Sequence, residues 1–283
     1  MNQDRHDRQI RFFTKEGHAR LNSVGVAIVG AGGLGSHVVQ QLAFLGVGDI
    51  TIIDEDVPDI TNLNRLIGAH HNDHASKLTK VAIMERLVRE INPTIKVTGI
   101  EKNLISKESF DAVKNADFVF GCVDNDGPRL VLTELCSAYE RPYFDLASEI
   151  ISGSKLYYGG RICFSYAGQG CLSCLDQIST DEVAEYFMSK ESRADRRKLY
   201  GLPIEEMQDS GPSVVALNGV VASLAITEFM VQVTGIRHAR RLVNYHGSNS
   251  KVTVTTDEPM ADCYYCKSMY GTRQKADVER YLS

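Results

Sequence analysis

Residues Gly30 to Gly35 read GAGGLG. An apolar run, Val24–Val29, leads directly into them, and a helix-like stretch beginning at Ser36 follows. A second apolar run, Ile50–Ile53, ends on Asp54, 19 residues beyond Gly35. Strand, glycine loop, helix, strand and acid in that order describe a βαβ unit built for a nucleotide. Glycines let the backbone turn tightly and approach an anion, and the next helix offers its unpaired N–H groups to phosphates. A carboxylate ~20 residues on is placed to grip ribose hydroxyls. The bland account, a tight turn that only packs helix on sheet, does not need the acid.

Alternation continues beyond this unit. Strands are expected at Val24–Val29, Ile50–Ile53, Ile95–Ile100, Phe118–Cys122 and Pro142–Leu146. Helices are expected at Leu34–Leu45, Lys77–Ile91, Lys107–Lys114 and Arg129–Tyr139. Val81, Met84, Leu87, Val88 and Ile91 recur at helical spacing, and Asn92-Pro93 stops that helix. The pattern predicts an α/β, Rossmann-like, doubly wound and mainly parallel sheet. After Ser148 the character changes. Lys155–Phe164 and Lys251–Thr255 read as antiparallel strands, a C-terminal extension of the sheet. Asp181–Gln208 is polar and charged, a surface helix or mobile crossover loop. Val214–Val233 is apolar with helical spacing, yet Asn218, Ser223, Thr227 and Glu228 interrupt it, so it is expected to be a buried core helix. The whole chain, 1–283, is read as one domain: a nucleotide-binding half over 1–148, and a zinc-bearing, partner-binding half over 149–283 with a crossover at about 176–210.

Charge and composition exclude other classes. A net charge of −5 gives no broad nucleic-acid-binding face. No uninterrupted apolar run approaches the ~20 residues of a membrane span. The polar N-terminus, MNQDRHDRQIRFF, is unlike a signal peptide, and a cytoplasmic location is expected. Seven cysteines in such a compartment point to free thiols or a metal. Cys171-Leu-Ser-Cys174 and Cys263-Tyr-Tyr-Cys266 supply four soft ligands for one tetrahedral structural zinc, closing an excursion of 88 residues. A redox pair is the competing account. Cys122, Cys136 and Cys163 are read as packing residues.

Further polar groups fall where strands should end. Asp54-Glu55-Asp56 and Thr61-Asn62-Leu63-Asn64-Arg65 follow one strand. Arg65 can fork onto phosphate, and Asn62 can donate an amide bond. Lys80 offers a second cation, with Lys77 a nearby competitor. Gly121-Cys122-Val123-Asp124-Asn125 ends another strand. Asp124 suits Mg²⁺ bridging ATP phosphates, or it caps the following helix.

Together these residues resemble the ThiF/MoeB/HesA family, prokaryotic relatives of ubiquitin-activating enzymes. The resemblance rests on Asp7-Arg8-Gln9-Ile10-Arg11, VGVAIVGAGGLGS, Gly46-Val47-Gly48, Asp54-Glu55-Asp56, Asn62-Leu63-Asn64-Arg65, Lys80, Asn92-Pro93, CVDN (Cys122–Asn125) and both C-x-x-C pairs. It implies an adenylyltransferase that uses Mg-ATP to adenylate the C-terminal glycine carboxylate of a ubiquitin-like or sulfur-carrier protein, releasing pyrophosphate. By matching position, Gly30, Gly32, Gly33 and Gly35 form the nucleotide loop and Asp54 holds ribose. Asn62, Arg65 and Lys80 hold phosphates, Asp124 binds Mg²⁺, and Asp56 and Asn125 complete the cofactor site. Arg8 resembles an arginine that reaches into the neighbouring subunit of a homodimer.

The departures are specific. A cysteine that many members carry before the core helix is absent from Glu206–Ser213. The common Asn-Leu-Gln-Arg-Gln is Asn62-Leu63-Asn64-Arg65-Leu66. A thioester step is therefore not implied. Adenylation of a peptide or a modified-nucleoside carboxylate is the alternative. An NAD-dependent dehydrogenase and a catalytically silent, zinc-braced binding module are the remaining ones.

Overall fold

Strand β1 (Gly25–Val29) is buried along nearly its whole length, the signature of a parallel strand covered on both faces. The computed structural model describes residues 5–151, 156–189 and 211–282, and in it β1 lies inside an eight-stranded sheet of order β3-β2-β1-β4-β5-β6-β7-β8. β2 (Asp49–Ile53), β3 (Lys96–Ile100), β4 (Phe118–Gly121) and β5 (Tyr143–Ile151) run parallel with it. β6 (Tyr157–Ser165), β7 (Leu242–His246) and β8 (Lys251–Val254) extend the sheet antiparallel. The order reverses direction between β1 and β4, which leaves a crevice at their carboxyl ends.

Successive side chains of β1 serve two different cores. Val26 and Ile28 join one, with α1 (Asp7–Ser23), α2 (Gly33–Leu45), α3 (Lys80–Ile91) and α7 (Val215–Thr234). Ala27 and Val29 join the other, with α4 (Lys107–Asn115) and α5 (Asp126–Ala138). Helices on both faces make the sheet doubly wound, as predicted. α7 is long and apolar enough to cross a membrane by length and composition. Here it lies on the sheet, burying Val221, Ala222, Ala225, Ile226 and Phe229. The Phe229 ring stands edge-on to Phe118 at 5.2 Å and Phe120 at 5.5 Å between ring centroids.

Several predicted boundaries shift for local reasons. α3 begins at Lys80 rather than Lys77. Thr79 caps it by accepting from Ala82 N at 3.1 Å, and Lys77 has φ +51°, outside the helical region. β5 runs on to Ile151 because β6 pairs with it beyond the parallel core. β6 begins at Tyr157, and Lys155 lies outside the described residues. α1 and β7 have no counterpart in the expected elements. α1 is broken at Phe13 and Thr14, where Thr14 takes φ +66°, so its apolar spacing loses phase. Within Asp181–Gln208, α6 (Thr180–Phe187) is helical, and 190–210 lies outside the described residues.

The aromatic cluster supports a direct test. Phe229→Ala should leave a cavity between α7 and the sheet and cost ~3–5 kcal/mol, read from urea denaturation followed by circular dichroism. A loss below about 1 kcal/mol would show that α7 does not depend on this contact.

Candidate active site

Chain geometry at the crevice leaves little choice of residue. Gly30 has φ +93°, and a Cβ there would stand 2.6 Å from Cys122 O. A Cβ on Gly35 would stand 1.9 Å from Gly30 O. The missing side chains let α2 approach β1 and turn its N-terminus toward the cleft. Gly32 caps that helix, and a side chain on it would meet nothing within 4 Å, so the loop faces open space. The space is a cavity of about 1090 Å³ bounded by the glycine loop and the carboxyl ends of β1 to β5.

At the end of β2, Asp54 ties the loop down. Its Oδ2 accepts from Ala31 N at 2.7 Å and its Oδ1 from Asp56 N at 2.9 Å. Lys80 Nζ lies 3.7 Å from Asp54 Oδ1 and donates to Asp56 Oδ2 at 2.6 Å. Burial raises the Asp54 carboxyl above its ordinary value, against the pull of Lys80 and the two amides. Lys80 enters the cavity because it opens α3, whereas Lys77 is exposed and does not line it. Between them, Asn62 Oδ1 accepts from Asp59 N at 3.2 Å in a reciprocal cap. Arg65 Nη1 donates to Thr61 O at 2.6 Å, and both Asn62 and Arg65 line the cavity.

At the end of β4 two neighbours divide the work. Asn125, not Asp124, caps α5 by accepting from Gly127 N at 2.8 Å. The capping alternative for Asp124 is thereby corrected, and its carboxylate stands exposed on the cavity wall. An oxygen-only donor of that kind suits a hard cation such as Mg²⁺. Below lies a buried charge network. Asp145, fully buried, accepts from Arg161 Nη1 at 2.5 Å and from Tyr143 Oη at 2.8 Å, with Arg129 Nε at 3.5 Å. Arg129 Nη1 also donates to Asp126 Oδ1 at 2.7 Å. Burial works against the Arg129 charge, but Asp145 and Asp126 outweigh it and its pKa is raised. Both guanidiniums line the cavity.

Arg8 is exposed on α1 and does not line the cavity of its own chain. Every other nucleotide-site residue named from sequence does, with the exception of Gly35, which is buried behind the loop. Lys102, Arg161, Asn218, Glu149 and Tyr157 also line it and were not expected there. Lys102 lies two residues past the end of β3, a position that the carboxyl-edge rule could have flagged. Arg161 sits on an antiparallel strand, which that rule does not cover.

The four cysteines come together as predicted. Cys171, Cys174, Cys263 and Cys266 place their sulfurs within 4.8 Å of one another, with neighbours at 3.5 to 3.9 Å. Four thiolates ~2.3 Å from one tetrahedral ion stand ~3.8 Å apart, so the cluster fits zinc. Hydrogen bonds from Cys171 lower Cys266 to about 5, while burial pushes Cys174 up to about 11. A bound dication favours the thiolate form of the sulfurs that coordinate it. The knuckle also feeds the cleft. Just past Cys174, Gln177 O accepts from Arg161 Nη2 at 3.1 Å and Ser179 N donates to Asp126 Oδ2 at 2.7 Å. Outside this cluster, Cys136 and Cys163 are buried as packing residues, while Cys122 is half-buried at the cavity edge.

Comparison with known proteins agrees with this geometry. The ThiF family profile matches residues 6–265. The adenylyltransferase and sulfurtransferase MOCS3 of Aedes aegypti is 26% identical over 274 residues, 95% of this chain and 56% of its own length. A probable molybdopterin-synthase adenylyltransferase of Porphyra purpurea is 34% identical over 154 residues, 54% of this chain and 38% of its own. The chain thus spans between about a third and about half of these curated relatives. Among solved structures, E. coli MccB with ATP aligns at TM-score 0.71 and 20% identity, over 94% of this chain and 75% of that one. PaaA aligns at TM-score 0.63 and 17% identity, over 89% and 81%. At these identities the likeness is one of fold.

Purified protein should carry one equivalent of zinc by elemental analysis, and Cys266→Ser should lose it. Removal by a chelator should lower the melting midpoint by about 5 °C, the effect of a ~2 kcal/mol loss in a chain of this size. A midpoint indifferent to chelation would show that the cluster holds no structural metal.

Proposed function

The chain belongs to the ThiF family, and from that premise we propose that it adenylates the C-terminal carboxylate of a ubiquitin-like or sulfur-carrier protein with ATP. The observation that carries this reading is the cleft at the β1/β4 reversal. One cavity gathers the glycine loop, Asp54, Asn62, Arg65, Lys80 and Asp124. Relatives named as adenylyltransferases support the same chemistry. Cations and a carboxylate around a phosphate loop suit a triphosphate with Mg²⁺ better than NAD.

The reaction asks little covalent work of the protein. A carboxylate oxygen of the partner attacks the α-phosphorus, the bond to the bridging oxygen breaks, and pyrophosphate leaves with that electron pair. Two anions must meet, so alignment and cations supply the catalysis. Asp54 holds ribose, Asn62 and Arg65 hold phosphate, and Lys80 exchanges Asp56 for the phosphoryl oxygens. Asp124, with Asp56 and Asn125 lining the same cleft, would hold Mg²⁺, which would supply positive charge to the phosphates. We place the protein in a reducing cytoplasm, where four thiols stay available to zinc. The reaction ends at the acyl-adenylate. The thiolate is the nucleophilic form, and burial pushes Cys163 up to about 12 and raises Cys122 and Cys136 further.

We assign Arg8 to the site of a second copy, the homodimer that the family resemblance implies. Its exposed place on α1, outside its own cleft, is consistent with that role.

Lys80→Ala and Asp124→Ala should each lower partner-stimulated ATP–pyrophosphate exchange by ~10²–10³-fold, the effect of losing one preorganised charge contact. Near-normal exchange in either variant removes it from the mechanism. A carrier ending in Gly-Gly should stimulate exchange. Stimulation by short peptides alone would move the substrate to that class. Arg8→Ala and Lys80→Ala, each inactive alone, should regain roughly a quarter of wild-type activity when their subunits are reassorted, because one intact site forms per mixed dimer. No recovery on mixing would place Arg8 in cis or outside the reaction.

A further inference from the structure

α7 buries Leu217, Val221, Ala222, Ala225 and Ile226, and among them sits one carboxamide, Asn218, 1% exposed. An apolar side chain would pack this position at no polar cost, as its neighbours do. A buried amide is costly unless its groups are used. Asn218 lines the cleft, and its Nδ2 lies 2.4 Å from where a Cβ on Gly33 would stand. The amide therefore fills the space that Gly33 leaves open at the N-terminus of α2.

Two serines hold that amide in plane. Ser148 Oγ, at the cleft side of β5, donates to Asn218 Oδ1 at 2.8 Å. Asn218 Nδ2 donates to Ser213 Oγ, just ahead of α7, at 3.1 Å. A carboxamide nitrogen carries two hydrogens, and Ser213 takes one. The second is available beside the glycine loop, where the first-turn N–H groups of α2 also open.

We propose that Asn218 is a further nucleotide-contacting residue, a neutral donor that approaches the α-phosphoryl group from the side while the backbone of α2 approaches along the helix axis. The inference rests on the reading that ATP occupies this cleft. As the acyl oxygen attacks, negative charge builds on the non-bridging oxygens. A donor held rigid by two serines meets that charge without reorganising.

A mere tether and a phosphate donor predict opposite orders of damage. Serine hydroxyls both donate and accept, so Asn218→Asp keeps both tethers but turns a carboxylate on the phosphate. Asn218→Ala removes donor and tethers together and retains helix propensity. If Asn218 faces phosphate, Asp is worse than Ala. We expect Asn218→Asp to raise the Mg-ATP dissociation constant by ~10-fold or more in isothermal titration and to lower exchange by ~10²–10³-fold, with Asn218→Ala falling by ~10–10²-fold. If Asn218→Asp binds ATP and exchanges like wild type while Asn218→Ala is impaired, the residue is a tether and the proposal fails. Should Asn218→Asp not fold, wild-type exchange in a folded Asn218→Ala overturns it equally. Wild-type protein that binds no Mg-ATP would overturn the reading of the cleft itself, whereas normal wild-type binding with unaffected variants removes only Asn218.

Discussion

At the first turn after β1 the chain passes so close to itself that no side chain fits. The contacts that a Cβ would make, 1.9 Å from Gly35 to Gly30 O and 2.6 Å from Gly30 to Cys122 O, lie far inside van der Waals distance. This approach presses α2 onto β1 and β4 at the place where strand order reverses. The groups on this side of the cleft are placed by it. The α2 N-terminus points outward, Asp54 reaches back to Ala31 N, and Asn218 on α7 enters the gap beside Gly33. Adding one methyl group at Gly35 would force α2 away and disconnect these groups from one another.

A different kind of constraint organises the far side of the cleft. There the sheet turns antiparallel, and the first turn of α5 meets it through Asp126 and Arg129. Side-chain charges do the positioning instead. Arg129 and Arg161 share the buried Asp145, and Asp126 takes both Arg129 and the Ser179 amide. Two of the groups meeting this network come from the turn after Cys174, through Gln177 and Ser179. The cysteine cluster is thus a neighbour of the cleft through five residues of chain. A metal that fixes the knuckle would also fix the chain that holds Arg161 and Asp126 at the cleft.

Residues governed by local rules were legible. The glycine loop, the acid after β2, the five parallel strands and the C-x-x-C pairs all follow from spacing within one or two elements. What escaped either turns on a local break or cap that periodicity does not register, or depends on partners distant in sequence. α1 hides because Thr14 breaks its helical phase, and β7 because five residues carry little periodicity. Lys77 and Lys80 look equivalent until Thr79 is seen to cap the helix between them. Asp124 and Asn125 likewise compete for one cap, and only the bond to Gly127 N shows that Asn125 takes it. Arg161 and Asn218 lie 36 and 93 residues beyond Asn125 in the β4 turn whose cleft they share, and no local pattern joins them to it.

The sequence by itself determined that a nucleotide-type βαβ unit forms, that four thiols can share an ion, and which strands end in charge. Each of these follows from sterics or donor chemistry within a short stretch of chain, so it survives without the rest of the molecule. Tertiary structure decided which lysine enters the cleft, which neighbour is spent on a helix cap, and which antiparallel-strand and core-helix residues join the site. The first two choices turn on single short-range bonds, Thr79 with Ala82 N and Asn125 with Gly127 N, that spacing does not reveal. Asn218, by contrast, meets Ser148 across 70 residues of chain and fills the gap beside Gly33, and only the packed sheet brings such segments within hydrogen-bonding distance.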